Sequence, residues 1–228
     1  MGYDHQAVGK TRQQSDNATS WWDNTTARHL GYRPEIVAAK GKSERNRAIL
    51  AEERQGPFTW FSLGSEHFAD EEHAQAFELF ERAWHEIDRE VAAGATEPYY
   101  RPVLALRRAR TARLSSGPRL GLDLAAEGLE AYPLHTDLVL ESAVCARELG
   151  DLEEAARLAE LALKLGDGPA RYAAQVGCGT FLALEFLATV RAAQGELTEA
   201  VRLLERCRQA YPESAPSVDR RLAALGDA

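Results

Sequence analysis

The sequence predicts an all-α fold: a superhelix of about four stacked helix pairs, with a linker helix before them and a capping helix behind. Three observations carry that prediction. Small and aromatic residues return in a common frame at intervals of about 34 residues between Pro57 and Pro212. Glycines stand where the first helix of a pair would end, at Leu149-Gly150-Asp151 and Gln194-Gly195-Glu196. The chain's 228 residues, 45% hydrophobic and 27% charged, suit a globular repeat array with a small appendage.

Residues 1–28 are polar apart from Trp21-Trp22 and show no helical period, so they are expected to be poorly ordered. Pro34 then opens a segment expected to be helical from about Glu35 to Arg54, weakened at Gly41 and closed by Gly56-Pro57; residues 29–56 are thus a junction and linker helix. From Pro57 the repeat frame begins. Trp60-x2-Leu63-Gly64-x2-His67, followed by Ala76-x3-Phe80 and Ala83, follows the tetratricopeptide pattern, with histidine in the tyrosine position.

Smaller residues hold the same frame downstream. Ala109 stands in the place of Gly64, Gly121 of Ala76 and Gly128 of Ala83, and Pro133 closes the unit. Ala143, Gly150, Ala155, Ala159 and Ala162 mark the third unit, and Leu184, Leu187, Ala188, Gly195, Ala200, Leu204 and Cys207 the fourth. Small side chains at these offsets let two helices approach closely. The repeats are placed at about 57–90, 102–135, 136–169 and 181–214, with insertions around Gly94–Pro102 and Gly168–Gly179. A short helix over 214–225 is expected to cover the last apolar face, completing a repeat domain over 57–225.

Charge and cysteine content exclude several function classes. A formal net charge of −8 argues against nucleic acid as a partner, because phosphate binding needs a basic face. No apolar run reaches the ~20 residues of a membrane span, and the first residues lack the apolar core of a signal peptide. Cys145, Cys178 and Cys207 have no metal-ligand spacing and are read as reduced, buried cysteines of a cytoplasmic protein. No metal and no cofactor is expected.

Beyond the repeats, His29-Leu30-Gly31-Tyr32, followed by Lys40-x-Lys42-x2-Arg45-Asn46-x3-Leu50, resembles the junction between catalytic domain and tetratricopeptide tail in bacterial family 2 glycosyltransferases. Tyr132-Pro133-x3-Asp137-Leu138, Leu163-x-Leu165-Gly166 and Tyr172-x4-Gly177-x-Gly179 look like peculiarities of the same tail, and the similarity spans about 29–212. The resemblance implies a tail that presents an acceptor or mediates self-association. It also implies that His29 is the counterpart of a histidine that helps hold the donor's metal. The acidic Asp-x-Asp-type site of such enzymes has no match upstream, so His29, Gly31 and Tyr32 are read as a vestigial motif. Two alternatives follow from the resemblance: an accessory part of a transferase whose catalytic domain is on a separate chain, or a truncated enzyme fragment.

No catalytic residues are expected. The carboxylate runs Asp70-Glu71-Glu72 and Asp151-Leu152-Glu153-Glu154 fall at inter-helix turns, where a solvated helix start explains them. Gly177-Cys178-Gly179-Thr180 lacks the lysine and the strand-then-helix setting of a phosphate loop. Trp60, Phe61, Phe77, Phe80 and Trp84 are spaced as a core stripe. The arginines are more informative: Arg101, Arg107, Arg108, Arg110 and Arg113 crowd one helix of an acidic chain. Arg107, Arg110 and Arg113 repeat at i, i+3 and i+6 on one side, facing the inner groove with Arg147 of the next unit. Their planar forks suit carboxylates, so an acidic peptide of a partner protein is the expected ligand. The competing reading is a solvated basic face paired with acids of adjacent helices.

Overall fold

A computed structural model describes residues 4–7, 25–28, 42–169, 172 and 174–226. The chain forms two compact units, 1–52 and 53–228.

In the first unit, β1 (Asp4–Ala7) pairs antiparallel with β2 (Thr25–Arg28), with Asp4 opposite Arg28 and Ala7 opposite Thr25. These two strands are regular structure that was not expected of 1–28; the rest of that segment lies outside the described residues. Four-residue strands are too short to display a recognisable alternation, and the β-branched pair Thr25-Thr26 is their main local signal. The unit also contains α1 (Lys42–Glu52). The start of the expected linker helix, 35–41, lies outside the described residues. Its end comes two residues earlier than expected.

The second unit is a run of helix pairs. The first pair is α2 (Pro57–Ala69) and α3 (His73–Ala92), the second α4 (Arg101–Ser116) and α5 (Pro118–Ala131). The third is α6 (Thr136–Glu148) and α7 (Leu152–Leu165), the fourth α8 (Phe181–Ala193) and α9 (Leu197–Ala210). A 3-10 turn (Pro212–Ser214) leads into the cap, α10 (Ala215–Gly226). Each helix packs on its neighbour in sequence, and α4 also touches α6. This is the α-α superhelix that the repeat frame predicts.

Proline opens α2 in the first turn, where its missing N–H costs nothing, and the Thr59 hydroxyl donates to the Arg54 carbonyl at 2.8 Å. The frame glycine of this pair has a steric role. A Cβ on Gly64 would come within 2.7 Å of the Phe80 ring, so the α2–α3 approach admits no side chain there. The apolar faces bury two clusters. One holds Trp60, Phe80, Trp84, Ile87, Leu104 and Leu138; the other holds Val139, Leu184, Leu187, Leu204, Cys207 and Val218. All three cysteines are free and buried.

The inter-helix turns are not alike. Gly150 and Gly195 both adopt φ of 84°, as their position after a helix predicts. At the corresponding turn of the first pair, Glu71 takes φ of 62°, a left-handed conformation that costs an L-residue roughly 1–2 kcal/mol. His67 Nδ1 lies 2.5 Å from Glu72 Oε2 across the same turn. Glu71→Gly is therefore expected to stabilise the chain by about 0.5–1 kcal/mol, after allowing for glycine's greater unfolded-state entropy. Urea unfolding of both chains checks this, and an unchanged or lower midpoint would overturn it.

Candidate functional site

The five arginines of α4 sort by side. Arg108 is buried and binds Glu81 of α3 and Glu127 of α5, the latter at 2.8 Å, with its guanidinium 4.9 Å from the Trp84 ring. Arg101 lies 4.5 Å from the same ring and binds Asp88 and, at 2.8 Å, Glu97. These two hold α4 to its neighbours. Arg107, Arg110 and Arg113 instead meet first helices of other pairs, on the side their spacing selects.

There the three differ. Glu141 of α6, only 3% exposed, accepts from Arg110 Nε at 2.8 Å and from Arg113 Nε at 2.7 Å. Arg113 also donates to Glu148 at 2.8 Å. Burial works against the Arg113 charge, but Glu141, by charge and hydrogen bond, more than reverses it, so its pKa is raised. Arg107 has no ion pair among the described residues. It lies over Phe68 at 5.6 Å and Phe61 at 5.9 Å, and its pKa is lowered by burial and then by the like charge of Arg110. Arg147 of α6 resembles it: its guanidinium sits 5.4 Å from the Phe186 ring of α8, again without an ion pair among the described residues.

Arg110 and Arg147 lie on the wall of one cavity of about 300 Å³, together with residues of α6, α8 and α10. Asp137, Leu140, Glu141, Val144 and Arg147 line it from α6 at i, i+3, i+4, i+7 and i+10, one face of a helix. Leu182, Glu185, Phe186 and Thr189 face them from α8. Buried Glu185 accepts from Ser217 at 2.5 Å and from Arg221 Nε at 2.9 Å, so the cap helix supplies part of the wall.

The second insertion supplies the rest. Gly179 passes so close to Gly166 that a Cβ would come within 1.9 Å of the Gly166 carbonyl carbon. Asp167 Oδ1 accepts from the Gly177 and Gly179 N–H groups at 3.3 and 3.2 Å. The crossing delivers Gln175 and Cys178 to the cavity, where the Gln175 N–H donates to Asp137 Oδ2 at 2.7 Å. Burial, followed by the Asp137 charge, pushes the Cys178 thiol up to about 12, so it is protonated and unreactive at neutral pH. Burial does the same for Cys145, also to about 12. Asp137 is 2% exposed, and its other oxygen, Oδ1, has no hydrogen-bond partner among the described residues. Beside it His135 is fully buried and stacked on Tyr172 at 5.2 Å.

His29, Gly31 and Tyr32 lie outside the described residues. No cluster of metal-ligating side chains exists among the described residues, and none of their helices is long and apolar enough to cross a membrane. Sequence reasoning missed Asp137, Glu141, Glu185, Gln175 and Arg221. An acid on the buried face of a first helix marks the first three, whereas nothing local marks Gln175 or Arg221.

Solved structures share this architecture. MamA superposes with a TM-score of 0.57 at 12% identity, covering 83% of this chain and 98% of its own. A thermophilic tetratricopeptide protein of Thermus thermophilus gives 0.58 at 16%, covering 83% and 93%. YrrB, described as a tetratricopeptide protein with an unusual peptide-binding site, gives 0.53 at 15%, covering 82% and 87%. The fold is that of the tetratricopeptide repeat. No family model and no curated protein matches the chain.

Two measurements test the site's energetics. Glu141→Ala leaves two cations half-buried without their shared acceptor and is expected to cost about 3 kcal/mol, the lower edge for breaking a buried pair, because Arg110 reaches solvent. Urea unfolding at neutral pH reads this, and a loss below about 1 kcal/mol would show that the carboxylate is dispensable. For His135, burial lowers the pKa below its ordinary 6.5, despite the opposing Asp137 charge. Below pH 6.5 the unfolded state therefore binds more protons, and His135's contribution is lost as pH falls from 6.5 through its lower folded-state pKa. His135→Phe, which keeps a ring against Tyr172, should flatten that part of the stability–pH curve; an unchanged slope would contradict the shift.

Proposed function

We propose that this chain is a non-catalytic scaffold whose first-helix groove binds an acidic peptide of a partner protein. The observation that carries the reading is a pair of groove arginines, Arg107 and Arg147, without ion pairs among the described residues and laid over aromatic rings. An arginine held on a ring face is positioned in advance, so little side-chain freedom is lost when a carboxylate arrives. Arg110 and Arg113 are largely satisfied by Glu141 and act as its supports. They match the paired basic face more than the ligand site, although Arg110 still opens onto the cavity. YrrB's description as a peptide binder lends the reading an analogy at the level of fold.

A second reading rests on the junction motif around His29, Gly31 and Tyr32. In it the chain is an accessory part of a bacterial family 2 glycosyltransferase in the cytoplasm, presenting the acceptor or self-associating beside a catalytic chain. Under this reading the chain copurifies with a nucleotide-sugar-dependent transferase, and His29→Ala lowers that enzyme's turnover without changing peptide affinity.

The groove reading is tested with a fluorescent acidic peptide in an anisotropy titration. Replacing Arg107 and Arg147 together with alanine is expected to abolish binding, whereas Arg202→Ala, at an exposed position on α9, should leave it unchanged. Equal affinity for the native and doubly substituted chains would sink the proposal.

A further inference from the structure

We propose that the cavity between α6 and α8 selects a peptide with a lysine and a carboxylate four residues apart and an apolar residue midway. The proposal deepens the groove reading and rests on it. Of the cavity's three buried acids, two are matched: Glu141 by Arg110 and Arg113, and Glu185 by Arg221 and Ser217. Asp137 is not. One oxygen takes the Gln175 N–H; the other, Oδ1, has no hydrogen-bond partner among the described residues, the weak thiol donor of Cys178 being the polar group set against the carboxylate. Its neighbours supply no cation: burial keeps His135 neutral and the Cys178 thiol protonated, and Arg110 is engaged by Glu141. A buried acceptor left unsatisfied is costly unless a ligand completes it.

At the other end of the same helical face stands Arg147, a cation without an acid among the described residues. Ten residues of helix separate the two, about 15 Å at 1.5 Å per residue. An extended peptide advances ~3.3 Å per residue, so positions i and i+4 lie about 13 Å apart and on the same side. The long lysine and Arg147 side chains span the difference. Position i+2 falls between them, against Leu140, Val144 and Phe186. Lysine fits the Asp137 end better than arginine. Its slender stem brings one compact ammonium to a buried oxygen, while a guanidinium would carry up to five donors into a place with one free acceptor.

The test titrates the full chain with labelled seven-residue peptides in both orders, lysine–leucine–glutamate and glutamate–leucine–lysine, separated by single alanines. Controls carry norleucine for lysine, or glutamine for glutamate. In the order that binds, norleucine is expected to weaken affinity at least tenfold, in line with loss of a charge-assisted hydrogen bond. Asp137→Asn should erase that difference while leaving the glutamate dependence, and Arg147→Ala should do the reverse. The norleucine comparison on the native chain stands even if Asp137→Asn does not fold. Equal binding of lysine and norleucine peptides in both orders would overturn the register and leave the acidic-groove reading intact. If no peptide binds, or if binding ignores both glutamate and Arg147, the underlying reading falls as well.

Discussion

Each helix in this array exposes an apolar stripe that its own partner covers only in part, and the rest of the structure follows from covering it with the next pair. That requirement fixes the small residues. Gly64 must admit the Phe80 ring, and the alanines at 155, 159 and 162 must let α7 settle on its neighbours, because a larger side chain would prise a whole pair apart. It also explains the cap. Val218 of α10 is fully buried, and Arg221 on the same helix reaches back to Glu185, so the element that ends the stack also completes a wall of the groove.

With the scaffold set by packing, the first-helix face is free to vary in polarity. It holds buried acids and partly buried arginines at close quarters, which a low-dielectric wall tolerates only when charges are matched. Glu141 is matched twice. Arg107 and Arg147 are matched by ring faces, a weaker compensation. The unevenness lies on the first-helix face, with Arg147 on the cavity wall, and not at Arg157 and Glu154, which form an ordinary exposed pair.

The helices were legible in the sequence because a repeat constrains side-chain size at fixed offsets, and size is what the letters state directly. The same periodicity separated Arg107 from Arg108, adjacent residues that meet different neighbours of α4. It could not name Arg108's partners, which lie 19 and 27 residues away on two different helices. The insertion around Gly168–Gly179 was visible as an interruption, yet its purpose was not. That Gln175 would return to Asp137 depends on the crossing at Gly166 and Gly179, a tertiary event without a local pattern. The turn at Asp70–Glu72 was legible, but not the left-handed backbone of Glu71, because the residue is not glycine, and the ribbon of β1 and β2 was too short to declare itself.

The two apolar clusters meet on α6, where Leu138 belongs to one and Val139 to the other. A helix shared by two cores works as a seam. In a quasi-one-dimensional array, loss of structure spreads from neighbour to neighbour and pauses where the coupling thins. Here the boundary between the two cores lies in the helix that carries Asp137, Glu141 and Arg147. A ligand lying along α6 would therefore act as a splint, joining the melting of the two halves into a single event.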